Sequence, residues 1–200
     1  GKEMKKFTTT LLLAIGLLVG FTVNAQAVSA ATLTQSDSGY WYNRAKADGS
    51  DHHSWHYTLY EVDGQVAYCI QPNIPEGTHY NQGSWEDTGL PNSIKERLLL
   101  IGYYGYTYPG HQTLQFRAAT QGMIWDTIVG SGANTTFHTA RWAKGDTFDV
   151  SNEKAQIEDL IAHHYDRPSF NGGVFKAQVG ETITLTDTNN VLSNYSVSVS

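Results

Sequence analysis

The 200-residue chain holds a single cysteine, Cys69, within Tyr68-Cys69-Ile70-Gln71-Pro72. A lone thiol has no internal disulfide partner, so it is either buried or reactive. A thiol hydrolase or transferase would pair it with a histidine and an orienting carboxamide or carboxylate. His79, His111 and His138 are available, but none sits in a recognisable local motif. Such enzymes also tend to present the cysteine at a helix N-terminus, where the dipole lowers the thiol pKa, whereas Cys69 precedes proline at the end of a strand-like run. His52, His53 and His56 invite a metal reading, yet no cysteine or well-spaced carboxylate set completes a ligand shell. They read as solvated or core-edge histidines, and no metal centre is expected.

The compartment sharpens the meaning of the thiol. Lys2, Lys5 and Lys6 precede an apolar run from Leu11 to Phe21, followed by the small residues of Ala25-Gln26-Ala27 and Val28-Ser29-Ala30. This is the basic, apolar and cleavage-site order of a secretory signal peptide, too short for a comfortable membrane span of about 20 apolar residues. Residues 1–30 are therefore set apart from the domain at 31–200, with Met4 as the start and residues 1–3 as upstream sequence. Loss of Lys2, Glu3, Lys5 and Lys6 moves the formal charge from -6 to -8. An acidic balance argues against a nucleic-acid partner, whose phosphates need clustered Lys and Arg.

Several elements must position Cys69. Tyr40-Trp41-Tyr42 and Trp55 to Tyr60 read as strands, and the latter forms a hairpin with Val66 to Ile70 through Asp63-Gly64. Residues 73–91, rich in Gly, Pro, Asn and Ser, read as a long loop. Ser93 and Glu96 suggest a capping box for a helix running to about Gly102, followed by the tyrosines 103, 104, 106 and 108 as an aromatic corner. Leu114, Ala118, Gln121, Trp125 and Ile128 recur at spacings of four and three, one buried stripe of a second helix. Gln121 falls on that stripe, where an amide needs its hydrogen bonds met: by nearby backbone, or in a role beside Cys69. Past Gly130-Ser131-Gly132 the chain reads as loop and edge to Gly145. A third helix, capped near Ser151, carries Ile157, Leu160 and Ile161, with His163 and His164 in its last turn. From Gly173 the period becomes two, around Ile183, Leu185, Tyr195, Val197 and Val199, which reads as half-buried strands. The fold class expected is α+β: antiparallel strands at both ends with about three helices between them. The alternation runs into Ser200, so the C-terminal part of the domain is expected to lie further on.

Tyr68-Cys69-Ile70, and Thr120-Gln121-Gly122-Met123-Ile124-Trp125 after it, resemble in that order the two signature motifs of the thioester domains of Gram-positive surface adhesins. Gly122-Met123 departs from the usual variable residue and alanine. The resemblance, from about Tyr40 to the end, implies an internal thioester between Cys69 and a glutamine, opened by an amine of a host surface protein. That is single-turnover capture rather than enzymatic turnover, and it needs no cofactor. It implies a secreted protein anchored to the cell wall through a region outside this chain. It casts Tyr68, Gln121 and Trp125 as supports of the site and places the bonding glutamine in a motif past Ser200, Gln121 being the lesser candidate. Gln71 is disfavoured by ring strain, and Gln178 matches no motif. A thiol hydrolase or transferase, and a non-covalent binding module for carbohydrate or protein with an inert Cys69, remain open at this point.

Overall fold

The computed structural model describes residues 32–72 and 88–196, together with the backbone of three short strands. In chain order the elements are β1 (Leu11–Ala14), β2 (Leu17–Val19), β3 (Leu33–Lys46), β4 (His52–Val62), β5 (Gln65–Cys69), β6 (Gln82–Gly83), α1 (Asn92–Tyr104), α2 (Leu114–Val129), β7 (Ala133–Ala140), β8 (Lys144–Thr147) and α3 (Ser151–Ala162). The strands form one sheet in the order β6-β2-β1-β5-β4-β3-β7-β8. Its body, from β5 to β8, is antiparallel. β1, inside the run read as an export signal, lies parallel to β5, with Leu13 opposite Cys69. The chain divides into two compact units, one spanning 8–161 and one made of 1–7 and 162–200.

The hairpin that ends at Cys69 follows directly from its turn. Asp63 (φ 50°) and Gly64 (φ 77°) both take left-handed backbone, as a two-residue turn between twisted strands requires. The turn sets the register, Val62 opposite Gln65 and Tyr60 opposite Ala67, and so decides which residues of β5 share a side with those of β4. Tyr60, Val62, Ala67, Cys69 and Trp125 form one buried cluster, with Leu33 and Tyr42 against it.

The helices are where the sequence expected, but their ends and faces differ. Pro91, not Ser93, is the N-cap of α1, and no side chain caps it. Proline at that position already has the backbone angle the entry needs and no N–H to satisfy, which makes the Ser93–Glu96 box unnecessary. α1 also continues through Gly102 to Tyr104 and ends at Gly105, where a Cβ would lie 2.3 Å from Thr120 Oγ1, so only glycine permits this approach to α2. α2 has no single buried stripe: every residue from Phe116 to Trp125 is buried, while Leu114 and Ile128 at the stripe's ends are half-buried. A helix enclosed on all sides carries little amphipathic signal. In α3 only Ile157 is fully buried, and His163 and His164 lie in the turn just past the helix.

Two stretches overturn the expectation. Ala133–Ala140 is no loop but strand β7, paired on both sides, with Thr135, Phe137 and His138 buried. Its buried positions include threonine and histidine, so hydropathy alone conceals it. The strands expected from Gly173 onward are absent among the described residues: 173–190 form no ladder, and Ile183 and Leu185 are exposed. That unit is held by local bonds instead, Asp187 accepting the N–H groups of Ser169, Asn189 and Val191. Val197 and Val199 lie outside the described residues, as do 73–81 and 84–87 of the expected loop. The strands that follow α1 and α2 are thus β7 and β8, and the α+β architecture stands with its late strands relocated.

Arg44 carries a charge into this interior with 0% side-chain exposure. Its Nε donates to Asp51 Oδ2 at 2.9 Å, and His53 Nε2 approaches Asp51 Oδ1 at 2.8 Å. The hydrogen bond from Arg44 is the main cause that holds the Asp51 carboxyl below its ordinary pKa; burial opposes it, and the nearby charges of Arg44 and His53 reinforce it. A carboxyl depressed in the folded state stabilises the fold above its unfolded pKa of about 3.9, and that stabilisation fades as pH falls through and below this value. Asp51→Asn is therefore expected to cost about 3 kcal/mol at neutral pH by leaving a buried guanidinium uncompensated. Denaturant unfolding of both proteins on lowering the pH checks it: the gap should narrow in acid, and a gap that is constant or grows contradicts the assignment.

Candidate functional site

Cys69 is the last residue of β5, 3% exposed and in no disulfide. Its Sγ lies 3.7 Å from the carbonyl oxygen of Gln71. Gln121 reaches it from the middle of α2, itself 2% exposed. The Cys69 N–H donates to Gln121 Oε1 at 2.9 Å, and Gln121 Nε2 donates to the Cys69 carbonyl oxygen at 2.9 Å. The carboxamide thus does for Cys69 what a neighbouring strand would do, accepting and donating once each. The buried amide that periodicity left in need of a partner has the backbone of Cys69.

Trp125, one helical turn beyond Gln121, is 4% exposed and packs on Tyr42 with ring centroids 4.5 Å apart. Its indole Nε1 is buried without a hydrogen-bond partner among the described residues, as is Gln71 Oε1. Tyr68 is fully buried, and burial drives its phenol pKa well above the ordinary value, with Arg117 and Thr120 pulling the other way. Around these groups every buried cation and hydroxyl of α2 is engaged. Arg117 Nη2 donates to Tyr60 O at 2.7 Å, and Thr120 Oγ1 donates to Phe116 O and accepts from Tyr106 N–H. Asp126 takes the N–H and the hydroxyl of Thr135, tying α2 to β7.

Arg44 is a site residue that the sequence reading missed. Its Nη1 donates to Pro72 O at 3.1 Å, so the Arg44–Asp51 pair clamps the segment that leaves Cys69. The signal was present: Tyr42 and Arg44 alternate inward on one strand, and an inward arginine needs an anion, which Asp51 supplies across the Asp48-Gly49 turn.

The histidines are occupied elsewhere. His111 Nδ1 is 3.0 Å from the carbonyl oxygens of Tyr104 and Gly105, and its ring stacks on Phe116. His138 bonds Thr136, and burial lowers its pKa. His52 bonds Asn43, and His56 lies on Trp41. His79 is outside the described residues. Among the described residues no group of three or more His, Cys, Asp or Glu could hold a metal ion, and no helix is long and apolar enough to cross a membrane.

A cysteine at a strand end, bridged by the glutamine of a Thr-Gln-x-x-Ile-Trp helix, is the arrangement in which the comparison with protein families becomes decisive. The family model of the thioester domain matches residues 66–166, from the start of β5 to just past α3. The chain belongs to the thioester-domain family. No curated protein and no solved structure matches it. The matched span of this thioester domain takes in Cys69, Gln121 and Trp125 together, the residues that the packing brings to one place.

Two substitutions probe the site's physical basis. Gln121→Leu removes both side-chain hydrogen bonds to the buried Cys69 backbone and is expected to cost at least about 2 kcal/mol. Trp125→Ala removes a core indole and should cost about 3–5 kcal/mol. Urea midpoints at equal slope measure both, and a near-wild-type midpoint for either one contradicts the packing described.

Proposed function

We propose that this thioester domain is the capture module of a secreted bacterial adhesin, in which Cys69 is bonded to a glutamine side chain and the bond is opened once by an amine of a host surface protein. Bond formation joins the Cys69 sulfur to the carboxamide carbon and releases ammonia. In the opening step a neutral lysine amine attacks that carbon, a C–N bond replaces the C–S bond, and the thiol of Cys69 returns with the proton lost by the amine. A thioester acylates amines more readily than an amide does, because the thiolate leaves more easily. The amide product survives forces that detach noncovalent contacts. The reaction is consumed in one event, so the protein is a binder and not a turnover enzyme.

The observation that carries this reading is the burial of Cys69, in no disulfide and held through its own backbone by Gln121. Burial slows hydrolysis by excluding water. Both polar atoms of Gln121 are engaged with the Cys69 backbone, which favours Gln121 as a support of the site over Gln121 as the acyl donor. Anchorage to the cell wall through another region is part of the same reading. Trp55 and Trp142, both 43% exposed, flank the Arg141 guanidinium and favour a second reading, a noncovalent binding module in which Cys69 is inert.

Intact mass of the full-length protein separates the two. The thioester predicts a mass one ammonia below the sequence value with no titratable thiol, then a gain of one methylamine and one free thiol after methylamine treatment. Cys69→Ala should stay folded, show neither change, and form no covalent adduct with lysine-bearing protein. A wild-type mass equal to the sequence value, with Cys69 titrating as a thiol, leaves the noncovalent module.

A further inference from the structure

Gln35, Ser36 and Asp37 of β3 and Trp55, His56 and Thr58 of β4 line a pocket of about 250 Å³ that the thioester chemistry does not use. All of them except Thr58 are exposed. The pocket is small beside the ~300–1,000 Å³ of drug-sized sites, a size for one ring rather than a long chain. It lies where the register of β3 against β4 shifts, between Asp37 and Trp41, an irregularity of the kind that re-aims side chains beside a site. Trp55 is its aromatic wall, and that indole is both 43% exposed and held in place. The Arg141 guanidinium lies 4.8 Å from the Trp55 ring and 4.9 Å from that of Trp142, while Arg141 Nε donates to Ser54 O at 2.9 Å. Trp142 (φ 63°) and Ala143 (φ 59°) take left-handed backbone, where a tight turn ordinarily uses Asn or Gly, and the Trp142 N–H is tied to Ser54 Oγ at 2.8 Å. A bulky residue persists in that conformation only when its surroundings hold it, and such strain gathers at binding sites. Trp41 packs edge-on against Trp55 at 6.1 Å and lies on His56 at 3.8 Å, so the wall needs little ordering when a ligand arrives.

We infer that this pocket binds one ring of a neutral saccharide, with its C–H face on Trp55 and its hydroxyls bonded to Asp37 and His56. A sugar ring has an apolar face that suits the negative face of an indole, and hydroxyls that each donate and accept. The lining matches both needs: one aromatic wall, with a carboxylate, a carboxamide, two hydroxyls and an imidazole beside it. Asp37 gives Oδ1 to the Gly39 N–H at 2.8 Å, and no described residue engages its Oδ2. The His56 ring meets only the Trp41 and Trp55 rings among the described residues, so its nitrogens are available. Charge narrows the ligand further. No Lys or Arg lines the pocket, and Asp37 disfavours phosphate, sulfate or an acidic sugar. A cationic ligand is disfavoured too, because the Arg141 guanidinium already lies over Trp55. The inference deepens the noncovalent reading above by naming its ligand class, and it does not require Cys69 to be inert.

The test applies labelled full-length protein to an array of neutral, sialylated and sulfated oligosaccharides, then titrates the best neutral ligand by calorimetry against variants. Neutral members should be bound in preference to the acidic ones. Asp37→Ala should weaken binding about tenfold, the worth of one hydrogen bond to a charged group. Trp55→Ala should weaken it at least about tenfold, and Trp55→Tyr, which keeps a stacking face, by less. Asp37 is exposed, so its variant keeps the test valid where Trp55→Ala loses the fold, which thermal unfolding of each variant shows. Binding of no neutral oligosaccharide, preference for the sialylated or sulfated members, or unchanged affinity in folded Asp37→Ala or Trp55→Ala each overturns the inference. So does a peptide array bound by the wild type and lost by Trp55→Ala with no saccharide bound, which assigns the surface to a protein partner. The one-ammonia mass deficit is read on the same protein: its presence without saccharide binding overturns this inference and upholds the thioester, and saccharide binding without the deficit does the reverse.

Discussion

The carboxamide of Gln121, bonded to both backbone groups of Cys69, is the contact on which the remainder of the site depends. A strand end buried in protein has lost water and has only part of a ladder, so its N–H and C=O must be met by something rigid. A glutamine in mid-helix provides both partners at once, but only if the helix comes close enough for a short side chain to reach. Glycines mark the close approaches of α2: a Cβ at Gly105 would lie 2.3 Å from Thr120 Oγ1, and one at Gly122 would lie 3.4 Å from Phe137 and Thr135.

Bringing α2 so far inside imposes a polar cost that the neighbouring elements meet one group at a time. Arg117 is satisfied by the Tyr60 carbonyl of β4, Thr120 by its own helix and by the Tyr106 N–H, and Asp126 by Thr135 of β7. Lys154 of α3 adds its ammonium to the Thr135 carbonyl, and burial lowers its pKa. The bonds to α2 come from β4, the α1–α2 connection and β7, so the helix is held from several directions. The cysteine inherits that rigidity, and a nucleophile or acyl carrier needs it, because misplacement of reacting atoms by an ångström is costly.

On the far side of Cys69 the chain is held by Arg44, a buried cation that bonds the Pro72 carbonyl while Asp51 balances its charge. Cys69 therefore sits between two clamps, a neutral amide on its own backbone and a charged pair on the residues that follow. The outer edge of β5 is paired in parallel with β1, backbone that belongs to the stretch read as an export signal.

What the sequence by itself determined is local. The Asp63-Gly64 turn and its flanking strands follow from backbone preferences that need no distant partner, and so does the existence of all three helices. The two motifs that identify the family are likewise continuous in the chain. Tertiary structure decided the rest. Gln121 could be assigned to a buried face by its spacing, but its partner lies 52 residues away, and periodicity carries no information on which backbone it meets. β7 was hidden because its buried threonine and histidine are polar groups satisfied by α2, β8 and neighbouring side chains, so hydropathy misjudged them. The alternation after Gly173 looked like strands because period two is necessary for a half-buried strand but not sufficient: without a neighbouring strand to bond, the described residues settle into turns. Helix boundaries, the enclosure of α2 and the Arg44 clamp were decided by contacts between distant segments, which no local pattern encodes.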